Sequence, residues 1–261
     1  MNPINRIGTA EFSEDQIAFV ADVMRRGMLS SGEETEEFEQ RVAKLHGKDY
    51  GVFVNSGQSA LEISLHVAKI LLKKSNLRVG VPATTYAATL WAILQQGCQP
   101  VFYDINHKFV LDPVYVIPDH IDVLMPVDLC GYTAYDEDMI KHCQEAGVFI
   151  IQDACEAFGN KHACYGDIIC HSFYVSHHLT TGSGGMLSFN DKGIYDYIKS
   201  YIAHGRVYGG DFTKYQDKWY DRFLFDKVGV SLRNNNIAAA IGITQLDNIE
   251  ENNNKRKANA L

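Results

Sequence analysis

The chain has 261 residues, 46% of them hydrophobic, and a formal net charge of −8. That length and apolar content suit one large domain, or one domain with part of another, and argue against disorder. The acidic balance disfavours a dominant nucleic-acid role, which needs concentrated Lys and Arg, but leaves room for a local site for a small phosphorylated ligand.

The opening MNPINRIGTAEFSEDQ lacks the apolar stretch of a secretory signal. Strand-like and helical patterns then alternate. Residues 50–54 (YGVFV) read as a strand, and 57–74 (GQSALEISLHVAKILLKK) as a helix with apolar residues at spacings of three and four. The strand 77–82 (LRVGVP) precedes a helical 87–97 that closes on Gly97. Strands follow at 99–105 and 121–128, then a helix at 135–147 closing on Gly147. Further strands are expected at 148–153 (VFIIQD), 167–174 (DIICHSFY) and 185–189 (GMLSF). The Asn-rich end from residue 234 carries a helical pattern. This alternation predicts an α/β fold whose mostly parallel sheet lies between helices. No apolar run approaches the roughly 18 residues of a membrane span. The six cysteines form no C-x-x-C pair and mostly sit in apolar stretches, as free cytosolic thiols do. A soluble, cytoplasmic protein without a membrane or nucleic-acid partner is expected.

Ligands of open α/β sheets bind beyond the carboxyl ends of the strands, and several polar features fall there. Gly57, Gln58 and Ser59 open a helix, whose free N–H groups and dipole suit a phosphate; an ordinary N-cap by Ser56 is the alternative. Asp153 ends a buried strand, where a carboxylate is costly without a partner. A cationic ring nitrogen or a structural Arg would serve, and Glu156 lies three residues on. Tyr86 follows a strand and either stacks on a planar ligand or packs in the core. The stretch HACYGDIICHSFYVSHH holds His162, Cys164, Cys170, His171 and His177. Its spacings match no zinc pattern, and alternation along a strand would split Cys170 from His171, so no metal site is expected. His178 alone reads as a structural histidine.

Taken in order, SSGEETEEFEQRVAKLHG, VFVNSGQSALE, VPATTYAATLWAILQQGCQPVFYDI, IIQDACEAFG, GDIICHSFYVSHHLTTGSGGM and HGR resemble the sugar aminotransferase family of the DegT/DnrJ type. The resemblance implies the aspartate-aminotransferase-like fold, pyridoxal 5′-phosphate (PLP) fold type I. Its large, PLP-binding domain would span 1–245, with an N-terminal helical segment. Residues 246–261 would begin the helix leading to a C-terminal domain largely absent from this sequence. By the same resemblance, Gly57 and Gln58 would hold the cofactor phosphate through backbone N–H groups, with the Ser172 hydroxyl. Tyr86 would stack on the ring, Asp153 would pair with the ring nitrogen, and Glu156, where most members have Gln, would lie near the phenolic oxygen. Ser231, in GVSLRNN, stands where the family places an Asn on the phosphate of a partner subunit's cofactor.

The main departure is His177, which occupies the position of the family's Schiff-base Lys. Imidazole has no primary amine to attach to the cofactor aldehyde, so PLP, or its amine form PMP, would be held non-covalently, with His177 as the proton-transfer base. A Ser-His-His signature resembles the nucleotide-sugar 3-dehydratase branch. That branch implies loss of the C3 hydroxyl from a nucleotide-linked 4-keto-6-deoxy sugar, with glutamate as amino donor, in a homodimer with shared sites. An iron–sulfur variant is disfavoured because residues 171–261 contain no Cys.

Overall fold

The computed structural model describes residues 10–160, 164–207 and 223–259. In chain order the elements are α1 (Glu14–Arg26), α2 (Glu33–Leu45), β1 (Tyr50–Val54), α3 (Gly57–Leu72), β2 (Arg78–Pro82), α4 (Ala87–Gln95) and β3 (Gln99–Tyr103). They continue with β4 (Val123–Leu124), α5 (Glu137–Glu145), β5 (Phe149–Asp153), β6 (Ile168–Ser172), β7 (Gly185–Phe189), α6 (Lys192–Tyr201), α7 (Asn236–Leu246) and α8 (Ile249–Asn259).

One seven-stranded sheet forms in the order β1-β7-β6-β5-β4-β2-β3. Neighbours from β6 to β3 run parallel, and β7 is antiparallel to both β6 and β1. The expected α/β architecture with a mostly parallel sheet is therefore present. The alternation of side chains along each strand makes two cores. Val52, Val54, Ile168, Cys170, Leu187 and Phe189 point to α3, where Ala60, Leu61 and Leu65 meet them. Phe53, Phe173 and Met186 point the other way, to Phe38 of α2 and Ala239 of α7. Each fully buried Val, Leu or Phe contributes about 1.5–3 kcal/mol, so the sheet is anchored from both faces. The rigid platform that results sets the strand ends described below.

Three local expectations change. The run 121–128 pairs only over Val123–Leu124, because Pro126 has no N–H to continue the ladder; a single bridge from Val127 to Asp153 resumes it. The helix expected to reach residue 74 ends at Leu72, with Lys73 left-handed at φ 53°. Residues 192–201, given no element from sequence, form α6, capped by the Asp191 side chain. The Asn-rich segment has a structural reason. Asn235 caps α7, and buried Asn236 receives the N–H and hydroxyl of Thr35 while donating to Met28 O and Glu34. The helical pattern that follows divides at Asp247–Asn248 into α7 and α8. No helix among the described residues is long and apolar enough to cross a membrane.

Candidate active site

The carboxyl ends of β1, β5 and β6 converge on the amino ends of α3 and α4. At α3, the Ser56 hydroxyl accepts the Ser59 N–H at 3.1 Å. The N-cap reading is thus correct, yet it leaves more N–H groups than it satisfies. Among the described residues, nothing accepts from the N–H groups of Gly57 or Gln58. They remain at the positive end of a 16-residue helix, the arrangement that suits an anion. The Gln58 side chain turns away and donates to Glu62 and Gln95. Gly57 lies so close to β6 that a Cβ there would sit 2.7 Å from Ser172 Cβ, 3.2 Å from Ser172 Oγ and 3.1 Å from Cys155 Sγ. Backbone amides and the Ser172 hydroxyl therefore line one small cradle.

Asp153 closes β5 and is 3% exposed. Its Oδ2 accepts the Thr89 hydroxyl at 2.8 Å, and its Oδ1 accepts the Cys155 N–H at 3.2 Å. Among the described residues no Lys, Arg or His forms an ion pair with it. The structural-Arg alternative therefore finds no support. Burial raises its pKa, the hydrogen bonds from Cys155 and Thr89 oppose that, and the charge of Glu156 adds to it. A buried carboxylate supported only by neutral donors is suited to a cation supplied by a ligand.

Tyr86 is the N-cap residue of α4 and is 73% exposed. Core packing is thus excluded, and its ring is free for a ligand. Glu156 accepts the Cys130 N–H at 2.8 Å, which ties the left-handed Cys130–Gly131 turn to the site. His177 and His178 lie on the connection between β6 and β7. Thr180 anchors that connection to α7 through Gln245, Ser183 anchors it to Asn55 after β1, and Arg256 of α8 donates to His177 O at 3.2 Å. Burial lowers the His177 pKa. The charges of Glu156 and Asp153 pull it back up, and Arg256 pushes it down. Burial thus favours the neutral imidazole, and both carboxylates act against that. His178 is lowered to about 4 by burial, then by Arg256 and His177.

Gly57, Ser172, Asp153, Glu156 and His177 are linked by these contacts and charges, with Tyr86 on the same turn as Thr89. Ser231 is not brought to them. It is exposed and bridges Ala203, and among the described residues no hydrogen bond joins it to the group. Cys170 and His171 do face opposite sides of β6. Cys170 Sγ lies 3.1 Å from Ser64 Oγ, and His171 Nδ1 lies 3.3 Å from Ala154 O. His162 lies outside the described residues. Sequence reasoning misses Thr89, Cys155 and Arg256. The signal for Thr89 is its place three residues after Tyr86, on the first turn of α4.

Residues 10–261 match the DegT/DnrJ/EryC1/StrS aminotransferase family. The chain belongs to that family. GDP-perosamine synthase of Escherichia coli O157:H7 is 30% identical over 231 residues, covering 85% of this chain and 60% of that protein. GDP-4-keto-6-deoxy-D-mannose 3-dehydratase of Yersinia pseudotuberculosis is 26% identical over 273 residues, covering 97% and 69%. Among solved structures, the E. coli GDP-4-keto-6-deoxy-D-mannose-3-dehydratase with bound hydrated PLP superposes with a TM-score of 0.83 at 24% identity, over 94% of this chain and 67% of that one. A putative sugar aminotransferase of Streptococcus pneumoniae in its PMP form gives 0.79 at 23%, over 94% and 66%. These likenesses establish the type I fold of the family. The chain spans 60–64% of the length of the first curated relatives it matches.

Proposed function

We propose that this chain binds PLP or PMP non-covalently and removes the C3 hydroxyl from a nucleotide-linked 4-keto-6-deoxy sugar, with glutamate as amino donor. The observation that carries the reading is an imidazole at residue 177, on the connection from β6 to β7, where burial favours its neutral form and the charges of Glu156 and Asp153 oppose that. Similarity to the 3-dehydratases supports the same reading.

The residues present fit the cofactor. The free N–H groups of Gly57 and Gln58, with the Ser172 hydroxyl, would hold its phosphate in a cradle that any Cβ at residue 57 would fill. Asp153 would supply the charge facing the ring nitrogen, and exposed Tyr86 would cover one ring face. When bound, PLP supplies an electron sink for bonds broken next to it. The chain's own part is proton handling and placement. Neutral His177 accepts a proton on an imidazole nitrogen, and its resulting charge is stabilised by Glu156 and Asp153. Having no amine, His177 cannot tether the cofactor. This removes the step by which a Lys completes amino transfer and favours elimination of the hydroxyl. Ser231 would serve the phosphate of a second copy's site in a homodimer.

The test is the full 261-residue chain with PLP, glutamate and GDP-, CDP- or dTDP-linked 4-keto-6-deoxy sugar. Ammonia release with a 3-deoxy product is expected, and so is its loss in His177→Asn. Unchanged sugar in all three series overturns the dehydratase reading. A second reading, a nucleotide-sugar aminotransferase-like protein that binds PLP or PMP without dehydratase activity, draws on the 30% identity to a perosamine synthase. It gains if PLP binds and no ammonia appears.

A further inference from the structure

We infer that Thr89 is a positioning residue that keeps Asp153 ionised and aimed at the ring nitrogen, and that Thr85 sets the direction of the Thr89 hydroxyl. The inference rests on the cofactor reading above.

A hydroxyl has one proton to give and can donate in only one direction at a time. The Thr85 hydroxyl donates to Thr89 Oγ1 at 2.9 Å, so the Thr89 oxygen is already an acceptor there. Its own proton goes to Asp153 Oδ2 at 2.8 Å. Thr89 is 1% exposed, so water does not compete for that proton. On the other oxygen, the Cys155 N–H fixes Oδ1. The carboxylate is gripped from two sides by neutral donors that favour its charged form. The lone pairs they do not use are left for a cation. Thr89 N also donates to Tyr86 O, so one turn of α4 carries both the residue placed for ring stacking and the one that orients the ring-nitrogen partner. Without the Thr89 proton, burial acts on Asp153 less opposed, the carboxylate holds its own proton more tightly, and a bound ring nitrogen loses its counter-charge.

The test uses the full chain loaded with PLP labelled with ¹⁵N at the ring nitrogen. The nitrogen resonance is followed against pH in wild type, Thr89→Val, Thr89→Ser and Thr85→Val. Wild type and Thr89→Ser should hold the ring nitrogen protonated to the same pH. Thr89→Val should lower the proton affinity of that nitrogen about tenfold, because a hydrogen bond to a charged group is removed while the side-chain shape is kept. Thr85→Val should shift it the same way by less. A Thr89→Val titration equal to wild type overturns the inference while leaving the cofactor reading intact. A wild-type chain that does not bind PLP overturns both. Should Thr89→Val fail to fold, Thr85→Val decides. Its half-buried site tolerates the change, and an unshifted titration there overturns the relay.

Discussion

Replacing Gly57 by Ala probes the proposed phosphate cradle directly. The new methyl carbon would lie 2.7 Å from Ser172 Cβ. Carbon atoms prefer about 3.5–4.0 Å, so the overlap is about 0.8 Å or more. Ser172 cannot retreat easily, since it ends a central strand and pairs with Gly185 of β7. Overpacking of this kind costs about 1–3 kcal/mol. Alanine's better helix propensity returns at most about 1 kcal/mol, and less at the first helical position. The net loss is therefore about 1–2 kcal/mol, or roughly 2–8 °C in melting temperature. PLP affinity, read from absorbance titration, should fall at least tenfold, since the Ser172 hydroxyl is pushed from the cradle. In a Ser172→Gly background both the Cβ and the hydroxyl are gone and only the 3.1 Å approach to Cys155 Sγ remains, so Gly57→Ala should cost less there than in wild type. An Ala variant that melts with wild type and binds PLP equally refutes the reasoning. So does a full penalty in the Ser172→Gly background, because the clash would then lie elsewhere.

Three further outcomes follow from the same contacts. His177→Lys should place an amine at the cofactor, so borohydride treatment of the PLP-loaded variant should raise its intact mass by one reduced cofactor. A folded, PLP-binding variant with unchanged mass places residue 177 away from the reactive carbon. Tyr86→Ala removes an exposed ring, so stability should stay within about 0.5 kcal/mol of wild type while the PLP dissociation constant rises several-fold. A large drop in melting temperature would contradict this. His46, buried between Val42 O and the Gly159 N–H, has its pKa lowered from 6.5 to about 4 by burial. Because the folded value is depressed, its contribution is complete above pH 6.5 and is lost as pH falls towards 4, about 3 kcal/mol in all. His46→Gln should cost stability at pH 7.5 yet flatten the urea-derived stability profile between pH 6.5 and 4 by about 1.4 kcal/mol per pH unit. Parallel profiles would refute the assignment.

Much of the site is legible from residue order, for a physical reason. A carboxylate that ends a mostly apolar, buried run is expensive unless it is used, and Asp153 ends such a run, whereas Ser172 is reached only through the family resemblance. Tyr86, lying in a polar turn, is legible as a choice between two fates, and its exposure decides between them. Other features leave no local trace. GMLSF is buried at all five positions, so its pattern is the same for a parallel and an antiparallel strand. The Thr89 hydroxyl meets an acceptor 64 residues away, and Arg256 reaches a carbonyl 79 residues back. A threonine inside a helix reads only as a mediocre helix former. The missed α6 is different in kind. Its apolar residues Ile194, Ile198 and Tyr201 have the helical period and follow an Asp191 cap, so the signal is present in the sequence.

The reversed direction of β7 has a consequence for how this architecture changes over time. Parallel neighbours require a crossover that carries the chain to the far end of the sheet, whereas an antiparallel neighbour lets it turn back at once. The stretch from Phe173 to Gly184 thus leaves β6 and enters β7 at the same rim, closed by the Phe173 N–H to Gly184 O bond. It behaves as an interchangeable cassette whose two ends are fixed by the sheet. Residue 177 lies between the two strands, so a substitution there falls outside the pairing of β6 with β7.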